Sequence, residues 1–230
     1  MIMNYYFGFH PSQDLSDKID EAYALIEGGA DVRYDTYRDQ ITHMVNQELL
    51  DAMLGKLIEA MPQNSERRAH LVKANDTIHV TVDKLINTLL SPADNAQVLP
   101  SFEFLDRQVL FRDTEGQRRI SVPLDDTFAR ELLACIERVQ QGHGEAERDN
   151  LTRLFTQLVQ SCLQHFMGDF TKTLPLGMIK RRAIPVAEGV INKVVSVALQ
   201  RLIPQMPQDA LARFSAYYST LIFQAHSSQS

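Results

Sequence analysis

Apolar positions recur at spacings of three and four along most of this chain, the rhythm that puts side chains on one face of a helix. The pattern is clearest from Glu66 to Leu90, where Leu71, Ala74, Ile78, Val82, Leu85 and Leu89 form one stripe. Ser91-Pro92 ends it, because proline cannot continue the hydrogen-bond ladder. An earlier helix opens at Pro11-Ser12, buries Leu15, Ile19, Ala22, Tyr23 and Ile26, and stops at Gly28-Gly29. Between them a helix is expected from about Asp35 to Met61, closed by Pro62. Its stripe begins on Tyr37, Ile41, Met44 and Val45 and continues on Leu50, Met53, Leu54, Leu57 and Met61, nearly opposite. Either that helix breaks near Asn46-Gln47-Glu48, or its two ends meet different neighbours.

In the middle of the chain the period changes from helical to alternating. Phe102 and Phe104, Val109 and Phe111, then Ile120 and Val122 alternate with polar neighbours, which predicts a small antiparallel meander. So small a sheet needs helices to pack on. Helical spacing then resumes. Asp125 is placed to cap a helix burying Phe128, Leu132, Cys135, Ile136 and Val139, and Gly142-His143-Gly144 ends it. Glu145, Glu147 and Asp149 suit the positive end of the next helix, striped by Leu151, Leu154, Phe155, Leu158, Cys162 and Phe166. Pro185 and Pro207 read as first-turn prolines of two last helices. The final stripe is Leu211, Phe214, Tyr218, Leu221 and Ile222, fraying from Ala225 to Ser230.

The fold class expected is therefore mostly α, an irregular bundle of about seven or eight helices with a small antiparallel β-meander inserted near the middle. Residues 1–230 are taken as a single helical domain, with a sub-division into helical halves 1–100 and 124–230 around a meander at 101–123.

Composition adds little: 44% apolar and 23% charged residues are ordinary for a folded soluble protein. Charge adds more. The net of −6 splits into −7 over residues 1–100, −4 over 101–150 and +5 over 151–230. Either the acidic front and basic tail dock on one another, or the tail presents an anion-facing surface. Cys135 and Cys162 have no CxxC or histidine partner and read as small buried hydrophobes, as suits a reducing compartment. The N-terminal aromatic run lacks a signal peptide's basic n-region, and the most apolar stretch, Val186 to Ile203, is interrupted by Glu188, Asn192, Lys193 and Arg201. A cytoplasmic protein that does not span a membrane is expected.

Several chemistries lack their signatures. There is no GxGxxG, GxxxxGK[ST], HExxH, GxSxG or paired CxxC, so no nucleotide cofactor is expected. Asp76, His79 and Asp83 share one side of a helix and suggest a metal or acid–base trio, but no second helix supplies converging ligands, so no metal site is assigned. The solvated-face reading is preferred there. Nucleic acid is disfavoured by the acidic balance. Tyr217-Tyr218 and the N-terminal aromatics fit either a self-association surface or the core.

The strongest positive signal is the basic segment containing Lys172, Lys180, Arg181 and Arg182, beside Leu176, Met178 and Ile179. It is assigned as an anion- or partner-binding surface, with intramolecular pairing to the acidic half as the competing account. The wide apolar arc of the following helix reads as buried core. Three functions follow from these residues. The leading one is a non-catalytic interaction or regulatory module that self-associates or binds a protein partner. The second is a peripheral binder of anionic lipid or of a hydrophobic ligand through the basic segment. The third is a helical metal-dependent enzyme using Asp76, His79 and Asp83.

Overall fold

Short polar side chains start the helices by accepting from backbone N–H groups that the first turn leaves unpaired, each contributing about 1 kcal/mol. Ser12 caps α1 (Gln13–Glu27) by accepting from Leu15 N, and Ser65 caps α4 (Glu66–Leu89) from Arg68 N. Asp94 caps α5 (Asn95–Phe104) through Gln97 N, and Asp125 caps α6 (Asp126–Arg138) through Phe128 N, as expected. The computed structural model describes residues 3–59, 61 and 65–226, and it is mostly α with a small antiparallel sheet. Pro62 and the last four residues, both read from the sequence, lie outside the described residues.

The helix expected from Asp35 to Met61 is divided. Residues Tyr34–Leu50 form α2, Asp51–Gly55 form a π-helical turn, and Lys56–Glu59 form α3. A π turn inserts one extra residue, which rotates the following side chains by about 100° and moves the apolar stripe to a new face. That accounts for the opposed stripes, with the break a few residues beyond Asn46-Gln47-Glu48. The wide turn also frees carbonyls, and two tyrosines take them up. Tyr217 OH donates to Ala52 O at 2.6 Å and Tyr218 OH donates to Met53 O. Burial pushes the Tyr217 hydroxyl up to about 12 and that of Tyr218 higher still. The tyrosine pair thus serves this chain's own core.

The sheet is where sequence and structure part most. Phe102 and Phe104 lie in α5 and not in a strand. The strands are β1 (Met3–Phe9), β2 (Leu110–Arg112), β3 (Arg118–Pro123) and β4 (Ile222–His226), in the order β2-β3-β1-β4 with every pair antiparallel. The N-terminal aromatic run is therefore an inner strand, and the expected C-terminal fraying is, through His226, the strand beside it. In register, Phe7 stands opposite Val122 on one side and Ile222 on the other. Phe7, Phe9, Ile120 and Val122 face the helices as part of the main core. Tyr6, Phe111 and Ala225 form a small second cluster, with the Tyr6 and Phe111 rings 4.2 Å apart. Arg119 roofs that cluster, 4.8 Å above the Phe223 ring, held by Asp113 at 2.8 Å and the Thr220 carbonyl at 3.1 Å.

The remaining helices are α7 (Gly144–Leu163), the short α8 (Met178–Arg181), α9 (Ala183–Leu202) and α10 (Gln208–Leu221). Gly142, at φ 98°, makes the sharp turn into α7 that a side chain would resist. Helix α9 packs along α4 and α7, which places its inner residues Ile191, Val195 and Leu199 at the centre of the molecule.

Candidate functional site

The inner stripes of α2, α4, α5, α7 and α9 converge without filling the space between them. They leave an apolar cavity of about 180 Å³. Its wall includes Ile41 and Leu50 from α2, Ile78 from α4, Phe102 from α5, Val159 from α7 and Val195 from α9. Native interiors are packed nearly as densely as organic crystals, so an unfilled space of this size is unusual. At about 24 cal/mol per Å³ it forgoes roughly 4 kcal/mol of packing stabilisation.

The polar groups in the wall are mostly consumed by the protein itself. Arg38 is 3% exposed, yet its Nε donates to Asp39 Oδ1 at 2.7 Å and its Nη2 to the Ser91 carbonyl at 3.0 Å. Thr42 Oγ1 donates to Arg38 O, Thr171 Oγ1 to Met167 O, and Ser101 Oγ pairs with Thr173 Oγ1. Cys162 shows the cavity a thiol that burial pushes up to about 12, so it is neutral and unreactive there. The half-buried Asn46 is also a lining residue, and its side chain makes no hydrogen bond among the described residues. The space thus offers hydrocarbon on nearly all sides.

His165 borders this region. Its ring lies 5.1 Å from both Phe104 and Phe166, two cavity-wall residues. It is 4% exposed, and Nε2 has no partner among the described residues. Desolvation pushes its pKa down to about 4, against the opposing pull of Asp169, so the ring is neutral near pH 7.

The residues singled out from the sequence lie elsewhere. Asp76 and Asp83 are exposed and His79 is half-buried on α4, and among the described residues no group of three or more ligating side chains converges. Asp83 instead comes within 4.0 Å of His43 on α2. Cys135, also expected as a buried hydrophobe, donates at 3.3 Å to Glu147, which Arg138 grips at 2.6 and 3.0 Å. Arg138 chiefly holds the Glu147 carboxyl down to about 2, so this group is an ion-paired brace between α6 and α7.

The basic segment divides. Lys172 is paired with Asp169 at 2.6 Å. Lys180 reaches the Leu89 carbonyl at 3.4 Å and Arg181 the Leu176 carbonyl at 3.1 Å. Among the described residues no carboxylate lies within 4 Å of Lys180, Arg181 or Arg182. Pairing with the acidic half, the competing account of this segment, is therefore not what holds these three. Nor is the arc of α9 wholly buried, since Val186 is 68% exposed and Val190 and Val197 about 40%.

No protein-family model, no curated protein and no solved structure matches this chain. The cavity was not foreseen from the sequence: each stripe announces a buried face, and none records how completely the faces fill one another.

Proposed function

We propose that this chain is a non-catalytic binding module whose ligand is a small apolar molecule, held in the cavity between α2, α4, α5, α7 and α9. The observation that carries this reading is the unfilled apolar volume of about 180 Å³ in an otherwise closely packed core. An apolar cavity of about 150 Å³ stays dry and admits benzene, so the space here suits an alkylbenzene or the apolar end of a short amphiphile. Asn46 would orient a ligand that carries one polar atom, in the manner of binding sites that combine apolar walls with few polar groups. The hydrophobic-ligand reading of the sequence is thereby favoured in a changed place, since the site is the core beside α9 and not the basic segment.

The test is thermal unfolding with n-butylbenzene and with octanol as probes. At about a hundred times its Kd, a ligand of the native state adds about 2.7 kcal/mol, which raises Tm by about 5 to 10 °C for a chain of this size. Cys162→Leu fills part of the cavity, and the buried free thiol it removes makes no hydrogen bond among the described residues. The variant is expected to be about 1 kcal/mol more stable without ligand and to lose the probe-induced rise. Val195→Leu, on the α9 wall, repeats the test should leucine at 162 pack poorly. Probes that leave Tm unchanged, or filled variants that respond as strongly as the parent, would overturn the reading.

A further inference from the structure

The outward face of α9 shares no residue with the cavity, and it has its own chemistry. Val186, Val190, Lys193 and Val197 follow at i, i+4, i+7 and i+11, so they share one face, and all four are exposed. Arg182 and Arg201, also exposed, fall within about 60° of that line. The acid of this helix, Glu188, projects from the other side and is half-buried. Just before it, Met178 and Ile179 are 82% and 87% exposed, although large apolar side chains normally seek burial. Lys180, Arg181, Arg182, Lys193 and Arg201 have no carboxylate within 4 Å among the described residues, whereas Arg153, Lys172 and Arg213 of the same basic tail are each ion-paired. One surface thus combines positive charge with no carboxylate within 4 Å and protruding hydrocarbon.

We propose that α8 and the outward face of α9 dock this protein on an anionic membrane surface, with Met178 and Ile179 entering the interface and Lys180, Arg181, Arg182 and Lys193 meeting lipid head groups. The complementarity is that of interfacial amphipathic helices, whose basic residues pair with anionic lipid while apolar ones insert shallowly. The stretch Met178–Gln205 is long and apolar enough to cross a membrane by length and composition. Its inner face, however, supplies Ala187, Ile191, Val195, Leu199 and Leu202 to the core. Crossing a bilayer would strip that face from α4 and α7, whereas lying in the plane leaves the core intact. Docking stands apart from the cavity reading: Cys162→Leu should bind vesicles as its parent does.

The experiment is co-sedimentation of the full chain with phosphatidylcholine vesicles, with and without 30% phosphatidylglycerol. Binding is expected only to the anionic vesicles, weakening as salt rises. Replacing Lys180, Arg181 and Arg182 together by alanine should lower the partition constant about 100-fold. The chain has no tryptophan, so Ile179→Trp supplies a lone indole whose emission should shift to the blue on anionic vesicles. Met178, Ile179, Arg181 and Arg182 are exposed and Lys180 is half-buried beside the Leu89 carbonyl, and unchanged Tm in each variant verifies folding. Equal binding to neutral vesicles, an unaffected triple variant or an indole that stays in water would overturn the proposal. So would a vesicle-independent dimer that dissociates in Met178→Ser/Ile179→Ser, which would assign the face to a second copy.

Discussion

Gly8→Ala is expected to destabilise the protein by about 3 kcal/mol or more, a fall in Tm of roughly 6 to 12 °C. Gly8 sits in the inner strand β1, opposite Ser121 of β3. A Cβ there would collide with the Ile120 carbonyl oxygen and stand 2.5 Å from Ser121 Cβ and 2.8 Å from Ser121 Cα. Two of those three atoms are backbone, so no rotamer change relieves the clash and the strands must separate. Separation would disturb Phe7, Ile120 and Val122, which are 2% exposed or less. Gly189→Ala is the matching control: it lies in α9 with nothing within 4 Å of the added carbon. There alanine should raise stability by about 0.5 to 1 kcal/mol, because glycine loses more backbone freedom in a helix. Urea or thermal unfolding of both variants measures the contrast, and equal stabilities would show that β1 and β3 are not so closely apposed.

What the sequence disclosed depended on how far apart the interacting residues lie. Helix α4 was legible almost to the residue, because its stripe from Leu71 to Leu89 and its terminator are local. The Asp125 cap was legible for the same reason. Alternation at Phe102 and Phe104 misled, although Val98, Phe102, Leu105 and Val109 follow helical spacing and Asp94 supplies a cap. Pro100, inside that helix, is the local signal that opposed it. The pairing of β1 with β4 joins residues more than 200 positions apart, and neither strand shows a turn or partner nearby. The unpaired state of Lys180, Arg181 and Arg182 likewise depends on where α4 and α9 carry the acidic residues, which charge counting does not resolve. The cavity is hardest of all, since it is a shortfall in packing among five helices whose individual stripes look complete.

His165 should make the fold sensitive to mild acid, through the side chain that borders the cavity. In the unfolded chain its imidazole titrates near 6.5, and in the fold desolvation brings it to about 4. Between those values the unfolded state binds the extra proton, so stability rises with pH across this window and is lost as pH falls through it. Each pH unit in the interval is worth about 1.4 kcal/mol, giving up to about 3 kcal/mol over the whole window. Asp169 is the charged group that opposes this shift, and against its own desolvation it is held ionised by hydrogen bonds from Lys172 and Gln164. His165→Leu removes the titration together with an unpartnered buried nitrogen. Denaturant unfolding from pH 7 to pH 4.5 should show the parent losing about 2 to 3 kcal/mol more than the variant. Carboxylates such as Glu147, whose contribution fades between about 4.5 and 2, act equally on both proteins and cancel in the comparison. Because His165 lies against Phe104 and Phe166, the acid-weakened contacts belong to the cavity wall, and probe binding should weaken over the same window in the parent alone. Parallel stability curves for parent and variant would mean that the buried imidazole accepts its proton without cost, and the wall would then be no pH-sensitive element.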